Sequence, residues 1–133
     1  MGRIKAREGL MQLLFQIESN NEYAPDTKDV FFEVFEYSPS ETKYIVDSLD
    51  TIIDNISTID EYIEKNLTGW SINRIAKIDL SVLRIAIYEI LFRKDIPAEV
   101  TINEAIEIVK KYSKEDSSKF VNGVLGSVLR SLE

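Results

Sequence analysis

The sequence predicts an all-α fold, a compact bundle of six to eight helices. Apolar residues recur at i, i+3, i+4 and i+7 through almost every segment, the spacing of a buried helix face. No stretch alternates with the two-residue period of a strand. The breaks are short polar junctions of a few residues, as expected between helices packed side by side.

Along the chain, AREGLMQLLFQIE carries Leu10, Leu13, Leu14 and Ile17 on one face, and Asn20-Asn21 with Pro25 close this first helix. Asp26 is the expected N-cap of DTKDVFFEVFEY, which presents Val30, Phe31, Val34 and Phe35. SPSETKYIVDSLDTIIDNI opens with Ser38, Pro39 and Glu41, a capping box with proline at the tolerated first position. Its stripe continues through Ile45, Leu49, Ile52, Ile53 and Ile56. STIDEYIEKNL reads as a short helix capped by Ser57 or Thr58 and ended by Gly69. The polar junction at Asn66–Gly69 separates helical halves of roughly 1–66 and 70–133. Each half looks too short to fold alone, so 1–133 reads as a single domain.

The richest apolar run is WSINRIAKIDLSVLRIAIYEILFRKDIP. It is expected to split near Lys77–Asp79, with Asp79 capping a longer second helix. That helix is apolar on more than one side, which places it at the centre of the core. Asp95-Ile96-Pro97 stops it. TINEAIEIVKKY begins with Thr101 and Glu104, a second expected capping box.

The final segment, KFVNGVLGSVLRSL, poses a conflict. Asn122-Gly123 between hydrophobic residues signals a hairpin, yet the apolar positions fit a helix. With Phe120 at 0° and about 100° per residue, the seven apolar residues fill an arc up to about 180°, while Gly123 falls at about 300° and Gly126 at about 240°. A hairpin would break that register, so a helix is expected. The glycines then lie off the core face, where they admit a close neighbour. Either another helix packs there with Phe120 in the core, or Lys119, Phe120 and the glycine surface form an open platform. An aromatic ring and a cation beside exposed backbone suit single-stranded bases, whose stacking is worth about 1–3 kcal/mol each.

Composition narrows the function. There is no cysteine and no histidine, which removes disulfides, thiolate metal sites, the usual general base and the common catalytic triads. Glu115 and Asp116 are sequence neighbours and point about 100° apart on a helix, so they form no acid pair. No enzyme, metal or cofactor is expected. No apolar run approaches the ~20 residues of a membrane span, and no secretory leader precedes the first helix, so a cytoplasmic location and no membrane partner are expected. The net charge of −7 is uneven. Residues 1–16 balance at +2 through Arg3, Lys5 and Arg7 against Glu8; residues 17–69, with 3 basic and 13 acidic groups, balance at −10; residues 70–133, with 10 basic and 9 acidic groups, balance at +1. Local charge, not the total, decides where a phosphate backbone docks. The acidic middle reads as a solvated face or a docking surface for a basic protein.

Several pieces occur together and in order: Trp70 with Arg74-Ile75, VLRIAIYEI, DIP followed by INEAIE, and EDSSKFVNGVL. With KAREGLMQLLFQIE at the start, they make the chain resemble the NusB family of bacterial transcription antitermination factors. The match is strong in the second half, while residues 20–69 agree mainly in helical pattern. The resemblance implies two packed helical subdomains. It also implies binding to boxA, an element of ribosomal RNA leader transcripts, as single-stranded RNA together with NusE, a small-subunit ribosomal protein. The pair joins other Nus factors on RNA polymerase, and no chemistry is catalysed. Carried over by position, Arg3, Lys5 and Arg7 contact RNA, as do Asp116, Lys119 and Phe120. Asp79 contacts NusE. Asn103-Glu104 and Asn122-Gly123 are family hallmarks with mostly structural roles. The family's N-terminus usually has more arginines than this one, where Ile4 interrupts the run, so weak RNA affinity without NusE is expected.

Two further readings stand beside this one. The same fold occurs as the N-terminal domain of ribosomal RNA cytosine methyltransferases; no cofactor-binding α/β domain follows here, so a stand-alone protein is expected. A storage homodimer or scaffold, with Phe120 and the N-terminal cations buried between copies, is the other.

Overall fold

A computed structural model describes residues 2–21, 26–69 and 71–133. Seven α-helices and one 3₁₀ turn account for its regular structure: α1 Gly2–Asn20, α2 Thr27–Val34, α3 Pro39–Asp54, α4 Ile56–Lys65, the turn Ile72–Arg74, α5 Lys77–Phe92, α6 Ala98–Tyr112 and α7 Ser117–Ser131. No strand forms among the described residues.

The apolar helix α5 is the hub, as its sequence predicts. It packs against α1, α3, α4, α6 and α7, and every residue from Asp79 to Ile90 except Arg84 is buried. The predicted stripes supply the rest of the core: Leu10, Leu13 and Leu14 from α1, Ile45, Leu49 and Ile52 from α3, Ile59 and Ile63 from α4. From α7 come Val121, Val124, Leu125 and Val128. Arg84, the interruption in α5, forks onto Asp60 at 2.9 Å and reaches Glu18 at 2.7 Å, tying α4 and α1 to the hub.

The helix ends follow local chemistry in some places and tertiary contacts in others. Asn21 takes the left-handed backbone (φ 58°) just past α1, a conformation asparagine tolerates better than most residues. Pro25 and Trp70 lie outside the described residues. The capping box at Ser38 is complete: its hydroxyl accepts from the Glu41 N–H at 3.2 Å, and its own N–H donates to Glu41 Oε1 at 2.7 Å.

Four expected caps are absent. Asp26 makes no capping bond to α2. Ser57 and Thr58 lie inside α4, because the chain only bends at Asn55, whose N–H still reaches the Thr51 and Ile52 carbonyls. Asp79 sits in the first turn of α5, not ahead of it. Thr101 lies inside α6, which starts at Ala98 directly after Pro97, a residue that offers no N–H to satisfy. Gly69 does not end α4; it follows three residues after the C-cap Asn66 with φ +80°, where glycine is favoured. In α2 only Phe31 of the four predicted core residues is buried, while Val30, Val34 and Phe35 are exposed. α1 is the principal helix touching α2, so one side is covered. Phe31 stacks on Tyr37 with ring centroids 5.9 Å apart.

Candidate nucleic-acid interface

The N-terminal cations divide sharply. Arg3 and Lys5 are exposed. Arg3 lies over the Tyr44 ring, 4.5 Å from its centroid, and Lys5 sits 5.0 Å from the Tyr37 centroid while donating to the Glu36 carbonyl at 3.0 Å. Aromatic faces thus hold both cations at the surface.

Arg7 is placed differently. It is 5% exposed, on the same helix face as Leu10 and Leu14, and forks onto Glu89. Glu89, fully buried in the hub helix, also accepts from the Thr101 hydroxyl at 2.7 Å and from the Tyr44 hydroxyl. Four donors fill the carboxylate's four lone-pair sites, and burial withdraws the Arg7 guanidinium from the surface. Burial, and then the neighbouring Glu89 carboxylate, drives the Tyr44 phenol well above its usual pKa, keeping it a neutral donor.

The second group lies at the start of α7. Asp116 and Lys119 are exposed and Phe120 is half-buried at the edge of the core. The segment is one unbroken helix with Gly123 exposed on it, so the hairpin signal of Asn122-Gly123 is overridden by the apolar register. Among the described residues no helix packs on the glycines. A Cβ built at Gly123 would meet nothing within 4 Å, and one at Gly126 would meet only the Arg130 guanidinium at 3.4 Å. Instead a groove of about 390 Å³ runs between the Asn66–Thr68 segment and α7, lined on the helix side by Lys119, Phe120, Gly123, Ser127 and Arg130.

Asp79 also departs from its expected role. It is 5% exposed, and its two oxygens accept from the Ser113 and Ser117 hydroxyls, each at 2.7 Å. The carboxylate anchors the loop between α6 and α7 to the hub.

Arg7 marks the start of α1 against Glu89, and Ser117 marks the start of α7 against Asp79. Those two acids are ten residues apart on α5, about 15 Å at 1.5 Å per residue. The predicted RNA-contacting residues are therefore not gathered into one pocket, and a single ligand touching both groups must be extended. Arg130, Ser127 and Tyr44 were not predicted. Arg130 and Ser127 were legible as the continuation of the glycine face one and two turns further on; Tyr44 was not, because nothing in α3 announces a partner in α1.

Among the described residues no group of acids is placed to hold a metal ion, and no helix is long and apolar enough to cross a membrane.

Comparison with known proteins aligns with this geometry. The NusB family model matches residues 4–130. The chain is 46% identical to the transcription antitermination protein NusB of Ruminiclostridium cellulolyticum over 96% of its own length and 88% of the relative's. It is 44% identical to that of Clostridium perfringens over the whole of both chains. Among solved structures it is similar to T. maritima NusB, with a TM-score of 0.88, 39% identity and coverage of 96% and 90% of the two chains. It is also similar to a chain in the complex of the antitermination factors NusB and NusE with double-stranded RNA, at a TM-score of 0.86, 27% identity and coverage of 98% and 97%.

Proposed function

The chain belongs to the NusB family, and from that premise we propose that it is a transcription antitermination factor that recognises boxA RNA together with NusE. In this reading the pair joins other Nus factors on RNA polymerase in the cytoplasm and helps it pass terminators. No reaction is catalysed; the relatives are antitermination proteins by name, and the chain offers neither histidine nor cysteine for chemistry.

The observation that carries the reading is the exposed backbone at Gly123 beside Phe120 and Lys119. A ring edge, a cation and an unblocked helix surface suit an unstacked base and its phosphate. Arg3 and Lys5, at the Glu89 end of α5, supply a second phosphate contact that an extended single strand can reach. A helical duplex would satisfy the same cations but would not present its bases to Phe120.

Fluorescence anisotropy of labelled boxA RNA tests this, titrated with the protein alone and with NusE, against a scrambled RNA of equal length. Tight, sequence-dependent binding that appears with NusE is the expected result. Equal, weak binding to both RNAs with and without NusE would overturn it.

A further inference from the structure

Helix α2 leaves an apolar edge uncovered. Of the large apolar side chains exposed among the described residues, three lie within six positions of one another: Val30 (49% exposed), Val34 (68%) and Phe35 (44%). Val30 and Val34 stand one turn apart on one side of the helix. Phe35 follows at the C-cap, its ring tilted against that of Phe31, the buried residue of this helix. Beside Phe35 a groove of about 650 Å³ opens toward the start of α3, with Phe32, Phe35 and Tyr37 on its walls. Lys5 is the cation lining it, and its ammonium is turned to the Glu36 carbonyl.

The charges around this edge are of one sign. Asp29 and Glu33 each precede one of the two valines, and with Asp26 they form a ridge at i, i+3 and i+7 beside them. Glu36 follows Phe35. All four carboxylates are exposed, and among the described residues none enters an ion pair. Lys28, the cation of α2, reaches across to Asp50 of α3 at 3.3 Å.

This combination selects its occupant. Clustered exposed apolar side chains rimmed by polar ones mark an interaction surface. Four carboxylates repel RNA, an anionic lipid surface and a second copy of the same edge, and they attract cations. A free polyamine would answer the acids but not the valines or the aromatic groove. A protein segment that carries both cations and apolar side chains answers both. The valine ridge is a helical one, and a second helix packs against such a ridge most closely.

We propose that the α2 edge docks a basic amphipathic helix of a protein other than NusE. Its apolar side chains cover Val30 and Val34, a larger one enters the groove beside Phe35, and its Lys or Arg residues face Asp29 and Glu33. The inference rests on the transcription-complex reading above and adds a contact to it. NusE shares the RNA with this chain and so lies along the strand, whereas the acidic edge repels the strand and faces a different protein.

The experiment places the photo-crosslinking residue benzoylphenylalanine at position 34, in an elongation complex assembled from purified RNA polymerase, the Nus factors, NusE and boxA RNA. Crosslinks are mapped by mass spectrometry. They are expected on a Lys- or Arg-rich helix of a protein other than NusE. Asp29→Asn with Glu33→Gln in the same chain is expected to lower their yield by roughly fivefold or more. The same two substitutions, at exposed residues, should leave the melting temperature and the affinity for boxA RNA with NusE within about twofold of the parent. Crosslinks to RNA, to NusE or to a second copy, or none at all, would overturn the docking edge. A yield that the neutral variant leaves unchanged would overturn it as well. If boxA RNA still binds with NusE in those cases, the docking edge falls alone. If the parent does not bind boxA RNA with NusE, the reading beneath it falls too.

Discussion

Arg7 lays its guanidinium flat against Glu89, with Nε 2.7 Å from Oε2 and Nη2 3.0 Å from Oε1, both side chains withdrawn from solvent. The pair joins the first turns of α1 to the far end of the hub helix α5. Through the Tyr44 hydroxyl on the same carboxylate, it also fixes the ring on which Arg3 rests. One buried acid therefore sets where the exposed cation stands. Removing Arg7 leaves that acid buried without its charge partner, which typically costs about 3–5 kcal/mol. Arg7→Ala is expected to lower stability by that amount in urea melts. An Arg7→Ala protein as stable as the parent would contradict the pairing.

Arg3 and Arg7 should separate in RNA binding. Arg3→Ala is expected to weaken binding and to flatten the dependence of log K on log salt by about 0.7, one phosphate contact on a single strand. Glu89→Gln, which keeps the shape of the network, should leave that slope unchanged. A slope that steepens by about 0.7 for Glu89→Gln would mean that Arg7 is released to touch phosphate.

The capping box at Ser38 makes a pH-dependent contribution. The Ser38 N–H and hydroxyl hold the Glu41 carboxyl below its ordinary pKa. A depressed folded-state pKa gives stability that is fully present above the unfolded value and lost as pH falls through the folded one. Glu41→Gln preserves a capping partner but cannot titrate. The variant is expected to show a flatter loss of stability on acidification, read as melting temperature against pH. Parallel curves for the two proteins would refute this.

Gly9 leaves no room for a side chain. A Cβ there would collide with the Tyr37 ring and hydroxyl, and that ring is stacked on Phe31 and packed beside Phe32. Gly9→Ala is expected to cost about 1–3 kcal/mol by overpacking, despite alanine's better helix propensity. Gly123→Ala, with open space around it, should instead raise stability by up to about 1 kcal/mol. Opposite signs in the same chemical melt are the expected outcome, and equal effects would contradict the packing described.

The architecture could be read from the chain because periodicity reports burial directly. The stripes through Leu10–Leu14, Ile45–Ile52 and Val121–Val128 are all core, and the nearly all-apolar α5 is the hub. The Ser38 capping box was legible because all its partners lie within four residues. What could not be read depended on partners far along the chain. Thr101 looks like a cap until Glu89 claims its hydroxyl, Asp79 looks exposed until Ser113 and Ser117 cover it, and Arg7 looks like a phosphate ligand until the fold buries it. One signal was present and unused: a lone glutamate inside IAIYEILF implies a buried cationic partner, since an unpaired charge there would be prohibitive. At the candidate site, Lys119, Phe120 and the glycine face were visible on a helical wheel. That no described residue stands within 4 Å of a Cβ at Gly123 was not, because the packing of α4 and the Asn66–Thr68 segment decides it.

In the proposed function an extended RNA strand touches both the start of α1 and the start of α7. The most direct measurement is amide NMR of the labelled protein in its complex with NusE, titrated with boxA RNA. Shifts are expected at Arg3 to Lys5 and along Lys119 to Gly123, with the exposed Val30–Phe35 surface unmoved. Shifts confined to α2 and α4, with α1 and α7 silent, would contradict it.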